Sequence, residues 1–98
     1  MKDLKETVSL MTSDDYRDRF KAEYYQLEAR YLKLHNMYEN WDNLTFKPTC
    51  PKCWYEKQLK AMLDYLTILI TRSVSEDVKL EHDETLMAII ERHTKSNL

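Results

Sequence analysis

The residue types best suited to chemistry in this sequence are tyrosine and arginine. Seven tyrosines occur in 98 residues, and Tyr16, Tyr25 and Tyr65 fall outside the main hydrophobic pattern. An aromatic ring at the edge of a helix can stack on a nucleobase, and a guanidinium group can donate two parallel hydrogen bonds to a phosphate. These residues suggest a nucleotide-like ligand, although packing against a partner helix explains the tyrosines more simply.

Basic residues cluster locally in a chain whose formal net charge is −2. This charge argues against a broad DNA- or RNA-binding surface but permits a local cationic pocket. Arg72 stands out because it lies in line with Tyr65 and Ile68 on one helix face. If subunits met along that line, copies of Arg72 would approach each other, and a bound anion would relieve their repulsion. The basic residues considered are Arg17, Arg19, Lys21, Arg30, Lys33 and Arg72.

Metal and catalytic motifs are incomplete in this sequence. Cys50 and Cys53 have the spacing of half a structural zinc site, but no second cysteine pair exists, and His35 has only Glu39 one turn away. We therefore expect no metal site and no cofactor. The absence of glycine excludes a Gly-rich phosphate loop, and no nucleophile or metalloprotease motif occurs. The sequence predicts a binding protein without catalytic residues, not an enzyme.

The first element that would position these side chains is a long helix. Hydrophobic and aromatic residues recur at alternating steps of four and three, which is the pattern of a helix with one buried stripe. Hydroxyl and acidic residues at 12–15 resemble a capping box, so we predict a helix over residues 14–41. Its stripe consists of Phe20, Tyr24, Leu27, Tyr31, Leu34, Tyr38 and Trp41.

A second long helix is predicted over residues 52–74, after a connection from Asp42 to Pro51. Its main stripe is Tyr55, Leu59, Met62, Leu66 and Leu69. We expect an antiparallel helical hairpin in which Leu27, Tyr31 and Leu34 face Leu59, Met62 and Leu66. A separate line of Gln58, Tyr65, Ile68 and Arg72 would remain uncovered. That line predicts oligomerisation through the second long helix, or cover from another helix.

The whole chain, 1–98, is interpreted as one all-α domain. The hairpin occupies 14–75, with an N-terminal extension over 1–13 and a C-terminal extension over 76–98. Leu4, Val8 and Met11 predict a short first helix, and Asp83 is a candidate cap for a last short helix. Neither a membrane-spanning run nor a secretory signal is present, so we expect a soluble cytoplasmic protein with no membrane partner.

Two runs in the sequence resemble a known family. The run from Asp15 to Leu34 and the run from Tyr55 through Leu66 to Arg72 are similar to the hairpin domain of phage anti-CBASS and anti-Thoeris nucleotide sponges. The resemblance covers about residues 14–75 and rests on the spacing of Gln58, Met62, Tyr65 and Arg72, together with Tyr16 and the Leu27–Leu34 run. It implies a phage protein in the infected bacterial cell that captures cyclic di- or trinucleotides without cleaving them. It also implies a homo-oligomer, typically a hexamer.

The resemblance further implies two ligand sites. Arg72, Ser75 and Tyr65 would bind a cyclic trinucleotide at a three-fold axis. Tyr16, Arg17, Arg30 and Lys33 would bind a cyclic dinucleotide between subunits. The Cys50–Cys53 run and the extension from Glu76 depart from the family. The small β domain of some anti-Thoeris members is absent, which favours a cyclic oligonucleotide over an ADP-ribose derivative.

Two other functions fit the same helices. The uncovered line could dock on a host or phage protein, which would make the chain a helical adaptor. Alternatively, the chain could be a structural coiled-coil element of a phage particle.

Overall fold

The computed structural model describes residues 2–96, and every regular element in this range is helical. The all-α prediction is therefore confirmed, and no described helix combines the length and apolar character needed to cross a membrane. The elements in chain order are a 3-10 turn at Leu4–Thr7, α1 at Val8–Met11, α2 at Tyr16–Glu39, a 3-10 turn at Trp41–Asn43, α3 at Lys52–Ser75 and α4 at Glu84–Ser96.

The N-terminal cap of α2 is an aspartate. The Asp15 carboxylate accepts a hydrogen bond from the Arg17 N–H at 2.9 Å, and the Ser13 hydroxyl accepts one from the Asp15 N–H at 3.1 Å. The Thr12 hydroxyl donates instead to a carbonyl of α1. Because a carboxylate next to the first turn satisfies the orphan N–H groups directly, α2 begins two residues later than predicted.

Contacts between α2 and α3 fall in reverse order along the two helices. Tyr16 at the start of α2 contacts Arg72 near the end of α3, and the Tyr38 hydroxyl near the end of α2 donates to Glu56 near the start of α3. Between these contacts lies a core that includes Leu66 and Leu69, both with no exposed surface. Its position agrees with the stripe predicted for the second helix.

The C-terminal segment covers a second face of α2. The Tyr25 hydroxyl accepts a hydrogen bond from the Glu81 N–H at 2.8 Å, and the Tyr24 hydroxyl bonds His82 Nδ1 at 3.2 Å. Val78, Leu86 and Ile89 are buried in the same core. Tyr25 is therefore a core residue, although its position lies off the stripe predicted for α2.

Asp83 caps α4 as predicted. Its Oδ1 atom accepts hydrogen bonds from the N–H groups of Thr85 and Leu86, at 2.9 and 3.3 Å. Burial raises the pKa of this carboxyl, but the backbone donors favour its charged form and bring the pKa below its ordinary value. The cap fixes where the chain turns into α4, which brings Leu86 into the core.

The end of α3 is a left-handed turn made without glycine. Asp77 has a φ of 54°, and the chain contains no glycine at all. The Val78 N–H donates to the Ser73 carbonyl at 2.8 Å, and the Asp77 N–H donates to Val74 at 3.3 Å. This is the Schellman pattern of hydrogen bonds. It satisfies the last carbonyls of α3 and turns the buried Val78 towards α2.

Candidate functional site

The candidate site is a cluster around Arg72, where the end of α3 meets the start of α2. The Arg72 Nη2 atom donates to the Tyr16 hydroxyl at 2.9 Å and lies 3.6 Å from Glu76 Oε2. The guanidinium carbon lies 4.9 Å from the centroid of the Phe20 ring. A cation over an aromatic face is held in place by the ring quadrupole. Arg72 is thus positioned by both helices and stays exposed to solvent.

Tyr16 and Glu76 complete the hydrogen bonding of this cluster. The Tyr16 hydroxyl donates to Glu76 Oε1 at 2.8 Å. That hydrogen bond, together with partial desolvation and the charge of Glu76, raises the pKa of Tyr16, while Arg72 opposes the shift. Tyr16 therefore stays a neutral donor at neutral pH. An anionic ligand approaching Arg72 would have to compete with the Glu76 carboxylate.

The other two residues predicted for a trinucleotide site lie on the same side of α3. Tyr65 is exposed, and its hydroxyl donates to Glu23 of α2. Ser75 is exposed about one turn beyond Arg72. Between Tyr65 and Arg72, Ile68 is 56% exposed. The uncovered line predicted on the second helix is therefore uncovered in a single chain.

The four residues predicted for a dinucleotide site are spread along α2. Tyr16 belongs to the Arg72 cluster, and Arg17 lies 3.9 Å from the Asp15 carboxylate. Arg30 is more than three turns away, and Lys33 is exposed beyond it. Tyr16 and Lys33 are separated by about 25 Å along the helix. A compact ligand can touch all four residues only if a second chain contributes some of them.

A cleft of about 420 Å³ lies between α1 and α2, and sequence reasoning did not identify it. Arg30 lines this cleft together with Arg19, Glu23, Met11 and Leu27. The Arg19 side chain donates to the Ser13 carbonyl at 2.9 Å, which draws it towards the cleft wall. Arg19 was identified only as one of several basic residues. It lies on the same face of α2 as Arg30, but the cleft also needs Met11, whose position depends on how α1 packs.

The two cysteines lie at the opposite end of the molecule from Arg72. Cys50 and Cys53 are free thiols and both are exposed. Within residues 2–96, no three potential ligands of the His, Cys, Asp and Glu types come together around one point. His35 stacks on Tyr31 with ring centroids 5.7 Å apart, and its Nε2 atom lies 3.6 Å from Glu39. These two contacts are within α2.

Comparison with known families gives one match. The family model described as Sequestin matches residues 14–74, which is 61 of the 98 residues. Neither the curated proteins nor the solved structures include a match to this chain. The matched range runs from the cap of α2 almost to the end of α3, and it contains every predicted ligand-binding residue except Ser75.

Proposed function

The chain belongs to the Sequestin family, and we propose that it binds and sequesters a small signalling molecule, as the family name suggests. The ligand class that we propose is a cyclic di- or trinucleotide used in bacterial anti-phage signalling. The protein would act in the cytoplasm of a phage-infected cell and would hold the ligand without cleaving it. The resemblance to phage nucleotide sponges and the exposed Arg72 cluster support this proposal.

We propose that the binding unit is an antiparallel hairpin of α2 and α3 that assembles into a homo-oligomer, such as a hexamer. The reverse order of the contacts between the two helices supports the hairpin. The exposed side chains of Tyr65 and Ile68 support assembly through α3, because exposed apolar surface of this kind favours association. Assembly there would bring copies of Arg72 close together.

The observation that carries the proposal is the exposure of the Arg72 guanidinium and the contacts that it makes. It is accessible, it is oriented by Tyr16 and Phe20, and among the described residues its close carboxylate is Glu76 of the same helix. Three such groups around a three-fold axis match the three phosphates of a cyclic trinucleotide in number and symmetry. In the unliganded protein, Glu76 would offset the repulsion between the clustered arginines.

The decisive experiment is calorimetric titration of Arg72 variants with cyclic tri- and dinucleotides. Each charge-assisted contact contributes on the order of 1.5–3 kcal/mol, and Arg72→Ala removes three of them, so it should weaken trinucleotide binding by roughly three decades or more. Arg72→Lys should recover little, because a point charge lacks the planar fork. Glu76→Gln should tighten binding, because it removes the competing carboxylate. Lys60→Ala, an exposed cation about three turns away on the same helix, is the matched control.

Two outcomes would contradict the proposal. The first is equal trinucleotide affinity in the wild type and in Arg72→Ala. The second concerns cleavage, because a sponge must return its ligand intact when the protein is denatured. Linear nucleotides formed in proportion to protein concentration would show a phosphodiesterase instead.

For a cyclic dinucleotide, we propose the cleft that contains Arg19 and Arg30. The cleft combines two guanidinium groups with the apolar side chains of Met11 and Leu27. Phosphate and base recognition need these two kinds of surface. Arg72 does not line this cleft, so Arg72→Ala should leave dinucleotide affinity nearly unchanged.

A second candidate function is a helical adaptor, favoured by the same exposed apolar side chains on α3. An adaptor would bury Tyr65 and Ile68 against another protein. Thermal melting with and without cyclic nucleotides separates the two functions, because a ligand bound only by the folded state raises the melting temperature. An unchanged melting temperature at saturating nucleotide would favour the adaptor.

A further inference from the structure

The proposed function leaves the two cysteines unexplained. Cys50 lies at the end of the loop of residues 40–51, which joins α2 to α3, and Cys53 lies in the first turn of α3. At this end of the molecule the Trp41 ring packs against Tyr55, with ring centroids 5.7 Å apart. Both thiols are exposed, and they flank Pro51 and Lys52. The two sulfur groups are thus presented together at one extremity of the helical pair.

Basic and aromatic side chains surround the two thiols. Cys53 is the second residue of α3, a helix of 24 residues whose first turn has no side-chain cap. Lys47 and Lys52 lie over the Trp41 ring at 5.8 and 5.9 Å, and Lys57 lies over Trp54 at 4.5 Å. Three ammonium groups therefore surround this end of the chain, with Asp42 and Glu56 as the neighbouring acids.

We propose that two copies of the chain share one zinc ion, with Cys50 and Cys53 of each copy as its four ligands. Zinc in structural sites takes four thiolates in a tetrahedron, usually from two pairs with this spacing. One chain supplies only one pair, so the sequence alone predicts no site, whereas a two-fold axis at the loop supplies the second pair. On binding, each of the four thiols releases a proton to solvent, and the lysines offset the two negative charges of the zinc–thiolate group.

The surface around the thiols is suited to contact with a second copy. The side chains of Phe46 and Trp54 are large, apolar and exposed on the same loop and helix start. Because the thiols lie at the end opposite the Arg72 cluster, joining two loops would leave the proposed ligand site free. Zinc would therefore link chains, or whole oligomers, end to end.

The test is titration of the reduced, metal-free protein with zinc chloride, and with cobalt as a spectroscopic probe. We expect saturation at about one metal ion per two chains and the absorption bands of tetrahedral cobalt–thiolate coordination. Light scattering should show a doubling of particle mass that a chelator reverses. Cys50→Ser and Cys53→Ser should each abolish all three signals, and because both side chains are exposed, circular dichroism should show an unchanged fold.

Several outcomes would overturn the proposal. Saturation at one metal per chain, weak binding that survives both serine variants, or no binding at all would each exclude the shared site. Arg72→Ala should keep full zinc binding, and Cys53→Ser should keep full nucleotide binding. If the protein binds zinc but no nucleotide, the proposed function has failed. If it binds nucleotide but no zinc, the proposed zinc site has failed.

Discussion

Glu28 is the buried acid of this protein, and its position has a consequence for stability. The residue is 1% exposed, and its Oε2 atom has no hydrogen-bond partner among the described residues. Burial raises the pKa of Glu28, although a hydrogen bond with Tyr24 opposes the shift. Burial and the charge of Glu28 in turn raise the pKa of Tyr24. Both effects follow from the cost of placing charge in a low-dielectric interior.

The raised pKa of Glu28 predicts that stability depends on pH. Above the ordinary value of 4.5, the unfolded chain releases this proton while the folded chain retains it. The free energy of unfolding should therefore fall as the pH rises through that value, until the folded carboxyl also ionises. Glu28→Gln should reduce this fall, as measured by urea unfolding at several pH values.

Glu84→Gln, which changes an exposed carboxylate on α4, is the control for that experiment. This variant should show the same change of unfolding free energy with pH as the wild type. If Glu28→Gln shows the full slope of the wild type, other groups must carry the pH dependence. The variants are compared by how steeply their unfolding free energy changes with pH, not by its absolute value. This is necessary because a buried amide at position 28 also changes stability by the same amount at every pH.

At the residue scale, the sequence could identify Arg72 but not its surroundings. The position of Arg72 on an uncovered helix line was visible from spacing alone. Its contact with Phe20 joins two helices whose residues are far apart in the chain, and its hydrogen bond to Tyr16 does the same. Tyr16 and Arg72 were predicted for two different ligands, and the structure places them in one cluster. Tertiary contacts of this kind have no signature in local periodicity.

At the element scale, periodicity predicted the two long helices well because each buries a continuous stripe. The predicted range 52–74 differs from α3 only by one residue, whereas 14–41 extends two residues too far at each end of α2. Asp15 caps α2, so the helix begins only at the next residue. The end of α2 is followed by a 3-10 turn that includes Trp41. Tyr25 could not be assigned to the core, since the segment that covers it lies 56 residues away.

The packing of α3 can be tested at Leu66, which has no exposed surface. Leu66→Ala removes buried methyl groups and leaves a cavity, so it should lower the free energy of unfolding by about 2–5 kcal/mol. Chemical denaturation monitored by circular dichroism measures the change. Lys60→Ala on an exposed position of α3 should change it by less than about 0.5 kcal/mol. Similar values for the two variants would show that Leu66 is not part of the core.

At the scale of the whole molecule, the two faces of the helical pair differ. One face of α2 is covered by the C-terminal segment, through residues such as Val78 and Leu86. The line of Tyr65, Ile68 and Arg72 on α3 has no such cover. The sequence predicted that a surplus of apolar surface would need a partner. It could not show that the C-terminal segment covers α2 and leaves this line of α3 free.

Assembly through this line predicts the effect of Ile68→Asp. The substitution places a charge where the oligomer would bury an apolar side chain, so the protein should dissociate to a smaller particle. Light scattering at micromolar concentration measures the particle mass. Lys60→Asp, which makes a larger charge change outside the line, should leave the mass unchanged. A wild-type protein that is already monomeric under these conditions would contradict the prediction.

The left-handed turn at Asp77 sets how freely this part of the chain can change in evolution. Most L-residues resist a positive φ, while glycine, asparagine and aspartate accept it. Position 77 should therefore accept few replacements, although the side chain is exposed. Lys79 is also exposed and should vary widely. The same turn holds Glu76 beside Arg72 and sends Val78 into the core, so a change at 77 would disturb both. During evolution, substitutions should therefore accumulate more easily on the ligand-facing surface around this turn than in the turn itself.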